Sequence, residues 1–292
     1  MFPTASSPQA RLALIALLIG GAAIGGSPIF VRFSEVGPMA TAFWRVALAL
    51  LPFFIASRAV AQGDERPSGL RDHIVLLLPG VFLAADLAAW HLSLHMTSVA
   101  NATLLANLAP VFVTLGSWLL FRTRITPVFL AGLALALVGV IVLKGGPAAI
   151  GGGQLAGDAT AVVAAIFYAF YMLSLGHVRA RFSTLRIMVW TTFSAMICIL
   201  PVAFFVEGNM VPVTLFGWAM VLGLALISHV GGQGLVTFAL AYLPTAFSSL
   251  TLLLQPVVAA ILAWILLAEP VGLMQGIGGA IVLVGILVAR RG

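Results

Sequence analysis

The sequence repeats itself at a fixed offset, and this constrains the fold more than any other feature of the chain. Sliding it by 256 − 110 = 146 residues lays Pro110 on Pro256, Trp118 on Trp264, Gly132 on Gly278, Gly139 on Gly285 and Lys144 on Arg290 without a gap. The same shift puts Trp44 on Trp190. Since 146 is half of 292 residues, the chain reads as two copies of one unit, 1–146 and 147–292.

Each unit is too apolar for water. Hydrophobic residues make up 62% of the chain and charged residues 8%, with a mean hydropathy of +1.18, far from the balance of a soluble domain. The expected fold class is therefore an all-α membrane protein. At about 20 residues for each crossing of a roughly 30 Å hydrocarbon core, the sequence predicts ten helices: 12–31, 38–57, 74–94, 98–120, 126–143, 155–176, 187–206, 213–238, 244–267 and 270–289. Arg11 ahead of the first apolar run resembles the start of a signal peptide, but pairing the two units requires that run as a helix. The net charge of +6 does not point to nucleic acid, because the cations sit in short turns between apolar runs. The single cysteine, Cys198, leaves no intrachain disulfide and no cysteine-based metal site.

Those cations set an orientation. With the N-terminus inside, the cytoplasmic segments hold Arg11, Arg58, Arg66, Arg71, Arg122, Arg124, Arg179, Arg181, Arg186, Arg290 and Arg291, which is 11 of the 14 Lys and Arg residues. Arg32 and Lys144 fall outside, and Arg45 lies within a span. The bias predicts that both termini are cytoplasmic. A unit of five helices starts on one side and ends on the other, so the second copy must enter the membrane inverted. Inverted repeats enclosing a midplane site are a common build of secondary transporters.

Polar residues in the apolar runs mark where such a site would lie, since charges and amides at membrane depth are expensive. The stretch 86–110 holds Asp86, the pair Trp90-His91 and Asn107. Asp86, Trp90 and Ser93 share a helix face, while His91 points about 140° from Asp86 at roughly 100° per residue. Arg45 is the one cation within a span; it is expected to snorkel or to pair with Asp86, with a clamp on a substrate carboxylate as the alternative to the structural ion pair. Tyr168 and Tyr171 stand on a broad aromatic face with Phe167 and Ser174. His229, Gln233 and Thr237 follow i, i+4, i+8 spacing, and Ser248, Thr251 and Gln255 follow i, i+3, i+7. Trp90, His91, Tyr168, Tyr171, His229, Gln233, Ser248 and Gln255 are expected around one central cavity, with Asp86 and Asn107 as further substrate-binding candidates. Gly20, Gly21, Gly25 and Gly26 ahead of Ser27-Pro28 predict close packing or a bend at the outer end of the first helix. Asp158 is expected to cap the sixth helix. The glycine-rich run 145–157 is read as the joint between the units. It lacks the Gly-Lys-Ser/Thr ending of a phosphate-binding loop.

Several of these stretches together resemble a known family. LLANLAPVFVTLGSWLLF at 104–121, SLTLLLQPVVAAILAWILLAEP at 249–270, FWR at 43–45 and GD at 157–158 are similar to the EamA-type branch of the drug/metabolite transporter superfamily. The resemblance covers essentially the whole chain. It implies a ten-helix inverted-repeat basket around a central cavity, exporting amino acids or other small metabolites. The family often carries Gly-Glu after both the fourth and ninth helices; here the ninth ends in Ala268-Glu269 and the fourth in Arg122-Thr123. Trp90-His91 also resembles the aromatic-His pair of bacterial aromatic amino-acid exporters of the YddG type.

The reading is thus a secondary transporter of the bacterial cytoplasmic (inner) membrane, with a small-molecule substrate, membrane lipid around it, no cofactor and no nucleic acid, as a monomer or homodimer. A broader drug or metabolite exporter is the alternative. A membrane-embedded lipid-modifying enzyme would use Asp86 and His91, but no serine-histidine-acid triad, carboxylate pair or metal-ligand spacing accompanies them. A scaffold would need no polar midplane. The orientation is testable: cysteine tags at either terminus or in the 58–73 loop should resist an impermeant thiol reagent in intact cells. Labelling from outside overturns both the topology and the inverted repeat.

Overall fold

The structure, a computed structural model, describes residues 8–60, 66–97, 102, 105–143, 145, 155–267 and 272–291. The helices in chain order are α1 (Pro8–Gly25), α2 (Ser27–Arg32), α3 (Pro38–Ala59), α4 (Leu70–Met96), α5 (Ala109–Phe121), α6 (Pro127–Leu143), α7 (Leu155–Arg179), α8 (Thr184–Val206), α9 (Leu215–Gly223), a π-helical segment (Leu224–Gln233), α10 (Gly234–Ala239), α11 (Thr245–Thr251), α12 (Leu254–Leu267) and α13 (Leu273–Ala289). Among the described residues seven stretches are long and apolar enough to cross a bilayer: Pro8–Arg32, Pro38–Ala59, Leu70–Trp90, Leu155–Arg179, Thr184–Val206, Leu215–Ala239 and Thr245–Leu266. Three shorter apolar helices, α5, α6 and α13, complete the described bundle. Leu12, Ile15, Ile19, Leu119, Phe205 and Leu266 all lie more than half exposed. An apolar surface that broad suits lipid and not water.

Element bounds recur at the offset seen in the sequence. α3 begins at Pro38 and α8 at Thr184, and 38 + 146 = 184; α6 spans Pro127–Leu143 and α13 spans Leu273–Ala289, again 146 apart at both ends. The packing recurs too. α6 lies along α13 and α3 along α8, while the contact of α4 with α7 is matched by that of α1 with the π segment and α10.

Prolines and glycines divide four of the spans. α1 stops at Gly25 and α2 restarts at Ser27-Pro28, which is the expected bend. Residues 107–108 form a turn ahead of Pro110, and residues 252–253 form one ahead of Pro256. Proline has no N–H to give and its ring collides with the carbonyl four residues back, so both turns sit where a proline dictates. The eighth span departs from the expected continuous α-helix by widening into the π segment, whose LALISHVGGQ sequence carries two adjacent glycines and a serine. Weak α-helix formers permit the change, and π-turns cluster at functional positions.

The ends of the bundle are held by polar contacts. At one end the Glu35 carboxylate, in the turn before α3, accepts from the backbone N–H of Val213 and of Thr214, each at 2.9 Å, and from the Thr214 hydroxyl at the start of α9. These bonds, led by the Thr214 hydroxyl, hold Glu35 below the usual carboxylate range. A lowered carboxyl contributes stability above its unfolded pKa that is lost as the pH falls through the folded one. Beside it Glu207 accepts from the Met39 N–H at 2.8 Å, at the N-terminus of α3. At the opposite end Arg181 donates to Asp72 at 3.0 Å, and Asp72 also accepts from the Ser68 N–H. Asp158, in the first turn of α7, accepts from the Thr97 hydroxyl at 2.6 Å. It therefore ties α7 to the end of α4, and it lies within the first turn of the helix rather than at the cap position expected of it. Neighbouring Gly157 meets the backbone of Met96 and Thr97, an approach that a side chain would block.

Backbones approach closely between α6 and α13. A Cβ on Gly139 would come within 2.6 Å of the Val282 nitrogen, and one on Gly285 within 2.6 Å of the Ala136 nitrogen. Gly132 abuts Ala289 and Gly278 abuts Leu143 in the same way. Adding 146 to one member of each pair and subtracting it from the other converts one contact into its counterpart, so the two helices face each other through equivalent surfaces. Gly139→Val and Gly285→Val should each lower the thermal unfolding midpoint in detergent, by a comparable amount, since the obstacle is backbone that cannot move aside. Overpacking of this kind costs about 1–3 kcal/mol. A large loss at one site and none at the other, read by fluorescence-detected unfolding, contradicts the equivalence.

Candidate functional site

Arg45, on α3, is the centre of the polar residues inside the bundle. It is only partly accessible and stands within electrostatic range of Tyr171 and Tyr168 on α7 and of Asp86 on α4. His229 of the π segment also feels its charge. The expected Arg45–Asp86 ion pair is not made: among the described residues no carboxylate lies within 4 Å of the guanidinium, which accounts for neither a hydrogen bond nor a salt bridge. Its Nε is buried without a partner. α3 and α4 pack side by side, and the two groups, one on each helix, do not form an ion pair.

Around this pair the structure brings together most of the expected residues. The Tyr171 hydroxyl donates to Gln233 Oε1 at 3.1 Å, both side chains being buried. This bond links α7 to the last residue of the π segment. Tyr168, one turn earlier and half-buried, lies near Gln255. Gln255 sits in the first turn of α12, directly after the break at 252–253. His229 is fully buried; its Nε2 lies 3.1 Å from the Thr192 hydroxyl on α8, its ring stands edge-on to Phe53, and Nδ1 has no partner. Thr237 donates to the Met188 sulfur at 3.2 Å. The i, i+4, i+8 line of the eighth span is thus buried throughout, but its three members meet different neighbours because the π segment intervenes.

Trp90, Asn107 and Ser248 are the remaining candidates among the described residues. Trp90 is half-buried on α4, and its carbonyl accepts from Ser93 at 2.7 Å. Asn107 is half-buried in the turn before α5. Ser248 is fully buried on α11 with its hydroxyl unpartnered. His91 belongs to α4, but its side chain lies outside the described residues, as do Lys144, Ala268-Glu269 and most of the 145–157 run. Sequence reasoning passed over Thr192, the partner of His229, and Thr191, whose buried hydroxyl is also unpartnered. A Thr-Thr pair within an apolar span was the available signal. Among the described residues no cluster of His, Cys, Asp and Glu has a metal-binding arrangement. An apolar groove of about 500 Å³ between α3 and α8, lined by Leu50, Leu51, Phe54, Val189, Trp190 and Phe193, offers a polar solute nothing to bond.

Buried hydrogen-bond partners contributed by several helices, next to two helix breaks, fit a solute site inside a membrane bundle. Comparison with known proteins decides the family: residues 11–144 match the EamA-like transporter family, and residues 155–291 match it again. The chain belongs to that family. It is a multi-pass membrane transporter. It is 27% identical over 296 residues to the "Uncharacterized transporter YxxF" of Bacillus subtilis (strain 168), with 99% of this chain and 94% of that protein covered. It is 26% identical over 255 residues to a "Probable terminal-alkyne amino-acid exporter" of Streptantibioticus cattleyicolor, with 84% of this chain and 83% of the relative covered. A crystal structure of a protein 19% identical to it superimposes with a TM-score of 0.77 over 97% of both chains, so the fold is shared.

In this EamA-like transporter the Tyr171–Gln233 bond should be a measurable coupling. Tyr171→Phe and Gln233→Leu each leave one buried polar group without its partner, whereas the double variant removes both. A double-mutant cycle in unfolding stability is expected to return about 1 kcal/mol of coupling. Simple additivity means that the two side chains do not rely on each other.

Proposed function

We propose that this EamA-like transporter is a secondary carrier that exports amino acids, aromatic or other neutral ones, or closely related metabolites, across the cytoplasmic membrane by alternating access. In this reading 1–146 and 147–292 are inverted repeats, both termini are cytoplasmic, and the solute binds between α3, α4, α7, the π segment and α12. The observation that carries it is the buried polar neighbourhood of Arg45, Asp86, Tyr168, Tyr171, Gln233 and Gln255 beside the breaks before α5 and α12. Broken helices expose backbone groups at membrane depth, which is tolerated where they border a solute cavity. The amino-acid exporter relative supports the substrate class.

Two further observations support alternation. The reciprocal α6–α13 contacts are those expected of a pseudo-twofold frame. The end contacts also correspond: Arg181 − 146 = 35 and Asp72 + 146 = 218, so the Asp72–Arg181 bridge at one end maps onto the grip of Glu35 on the start of α9 at the other. Each latch joins one repeat to the other, as gates that release in turn would.

Within the cavity, Trp90-His91 is read as the pair that stacks on and bonds the solute, as its resemblance to the YddG-type exporters suggests. A histidine can bind a carboxylate when charged or accept from an amine when neutral. The test is uptake by purified protein in liposomes, screened over radiolabelled amino acids. Uptake of at least one neutral amino acid above protein-free vesicles is expected, and His91→Ala should abolish it with the melting temperature near wild type. Absence of uptake for every amino acid overturns the substrate class; retained uptake in the variant removes His91 from the site.

A further inference from the structure

Arg45 poses a chemical problem that the protein alone leaves open. A guanidinium stays charged at any physiological pH and presents five donors in a planar fork. Placing that charge within a membrane span is costly unless something pairs with it. Arg181 holds Asp72, and Arg179, whose Nε is also buried without a bond, donates through Nη1 to the Phe182 carbonyl at 2.9 Å. Among the described residues Arg45 has no hydrogen-bond or ion-pair partner, and its Nε is buried. Asp86, on the neighbouring helix α4, does not form an ion pair with it. The guanidinium and the carboxyl group thus each keep bonding capacity that the other does not take up.

We propose that Arg45 is the carboxylate-binding residue of the transport site, gripping the substrate carboxylate through its guanidinium fork, while Asp86 receives the substrate's ammonium group. This rests on the transport reading above and deepens it, since it makes the substrate an α-amino acid bound as a zwitterion across the Arg45–Asp86 gap. An uncharged solute would leave both charges unmatched. A simple amine would answer Asp86 and leave the guanidinium bare. Tyr168, within electrostatic range of both Arg45 and Asp86, then borders the side-chain end.

The test uses the purified full chain in detergent and reads thermal stabilisation against concentration of phenylalanine, 3-phenylpropanoate, which lacks the amine, and phenethylamine, which lacks the carboxylate. Phenylalanine and 3-phenylpropanoate should stabilise the wild type, and phenylalanine should do so at the lower concentration. Arg45→Gln should abolish both responses. Arg45→Lys, which keeps the charge and loses the fork, should raise both half-saturating concentrations at least about tenfold; it also decides the matter if Arg45→Gln does not fold. Asp86→Asn should weaken phenylalanine and leave 3-phenylpropanoate unchanged. No response of the wild type to either carboxylate, or undiminished responses in the Arg45 variants, overturns the proposal. Equal weakening of both ligands by Asp86→Asn overturns the role given to Asp86. Carboxylate binding that depends on Arg45, without amino-acid uptake in liposomes, would sink the transport reading and leave this one standing; uptake without such binding would do the reverse.

Discussion

In hydrocarbon, helices gain nothing by exchanging lipid contact for leucine contact, so association depends on how closely backbones can approach. That constraint governs this bundle. Gly132, Gly139, Gly278 and Gly285 remove the side chains that would hold α6 and α13 apart. Gly20 and Gly25 do the same for α1: a Cβ on Gly20 would come within 2.8 Å of the Gly232 carbonyl, and one on Gly25 within 2.9 Å of the Gln255 carbonyl. Each side chain omitted at these crossings lets dispersion contacts act between whole backbones. The polar residues can then be held in place by a frame that owes nothing to them.

The polar residues have a separate logic. A buried hydroxyl or amide without a partner costs about 1–3 kcal/mol by mutational measures, and a bundle without a solute would gain by replacing it. Tyr171 and Gln233 satisfy one another, as do His229 and Thr192 in part. The hydroxyls of Ser248, Thr191 and Thr184, His229 Nδ1 and the Nε atoms of Arg45 and Arg179 are left over. Unpaired groups on several helices suit a transport site, because groups fully matched by the protein would have nothing left to offer a passing solute.

Much of the frame was legible in the sequence because the frame is written in residue types with one physical meaning. Apolar runs of membrane length pointed to the seven long spans and three shorter apolar helices found among the described residues, where ten spans were expected, and Pro28, Pro110 and Pro256 marked the breaks. The π segment was not legible, because His229, Gln233 and Thr237 at i, i+4, i+8 satisfy an ordinary α-helical stripe and nothing in spacing alone distinguishes the wider turn. The site was legible in part. Polar residues in apolar runs named Asp86, Tyr171, Gln233 and Gln255, but the partner of each is set by tertiary packing. Arg45 and Asp86 illustrate the limit: sequence places one charge on each of two neighbouring helices, yet whether they touch depends on a separation that helical periodicity does not determine. Thr192 was missed for a related reason, since a threonine in a span more often bonds its own helix backbone than a histidine on another.

The same offset that aligns the frame separates it from the site. Arg45 + 146 is Thr191, Asp86 + 146 is Gly232, Tyr168 − 146 is Ala22, Tyr171 − 146 is Gly25, Gln233 − 146 is Leu87 and Gln255 − 146 is Ala109. Where one half carries a charged, aromatic or amide side chain, the other carries a small or apolar residue, except at Thr191. Two of those small residues are at close crossings: Gly25 against Gln255, and Gly232 against Ile24 of α1. A place that supports a bonding side chain in one half therefore supports tight helix contact in the other. Close backbone contact and hydrogen-bonding side chains are therefore kept on different segments of the chain, so each can be met without compromising the other.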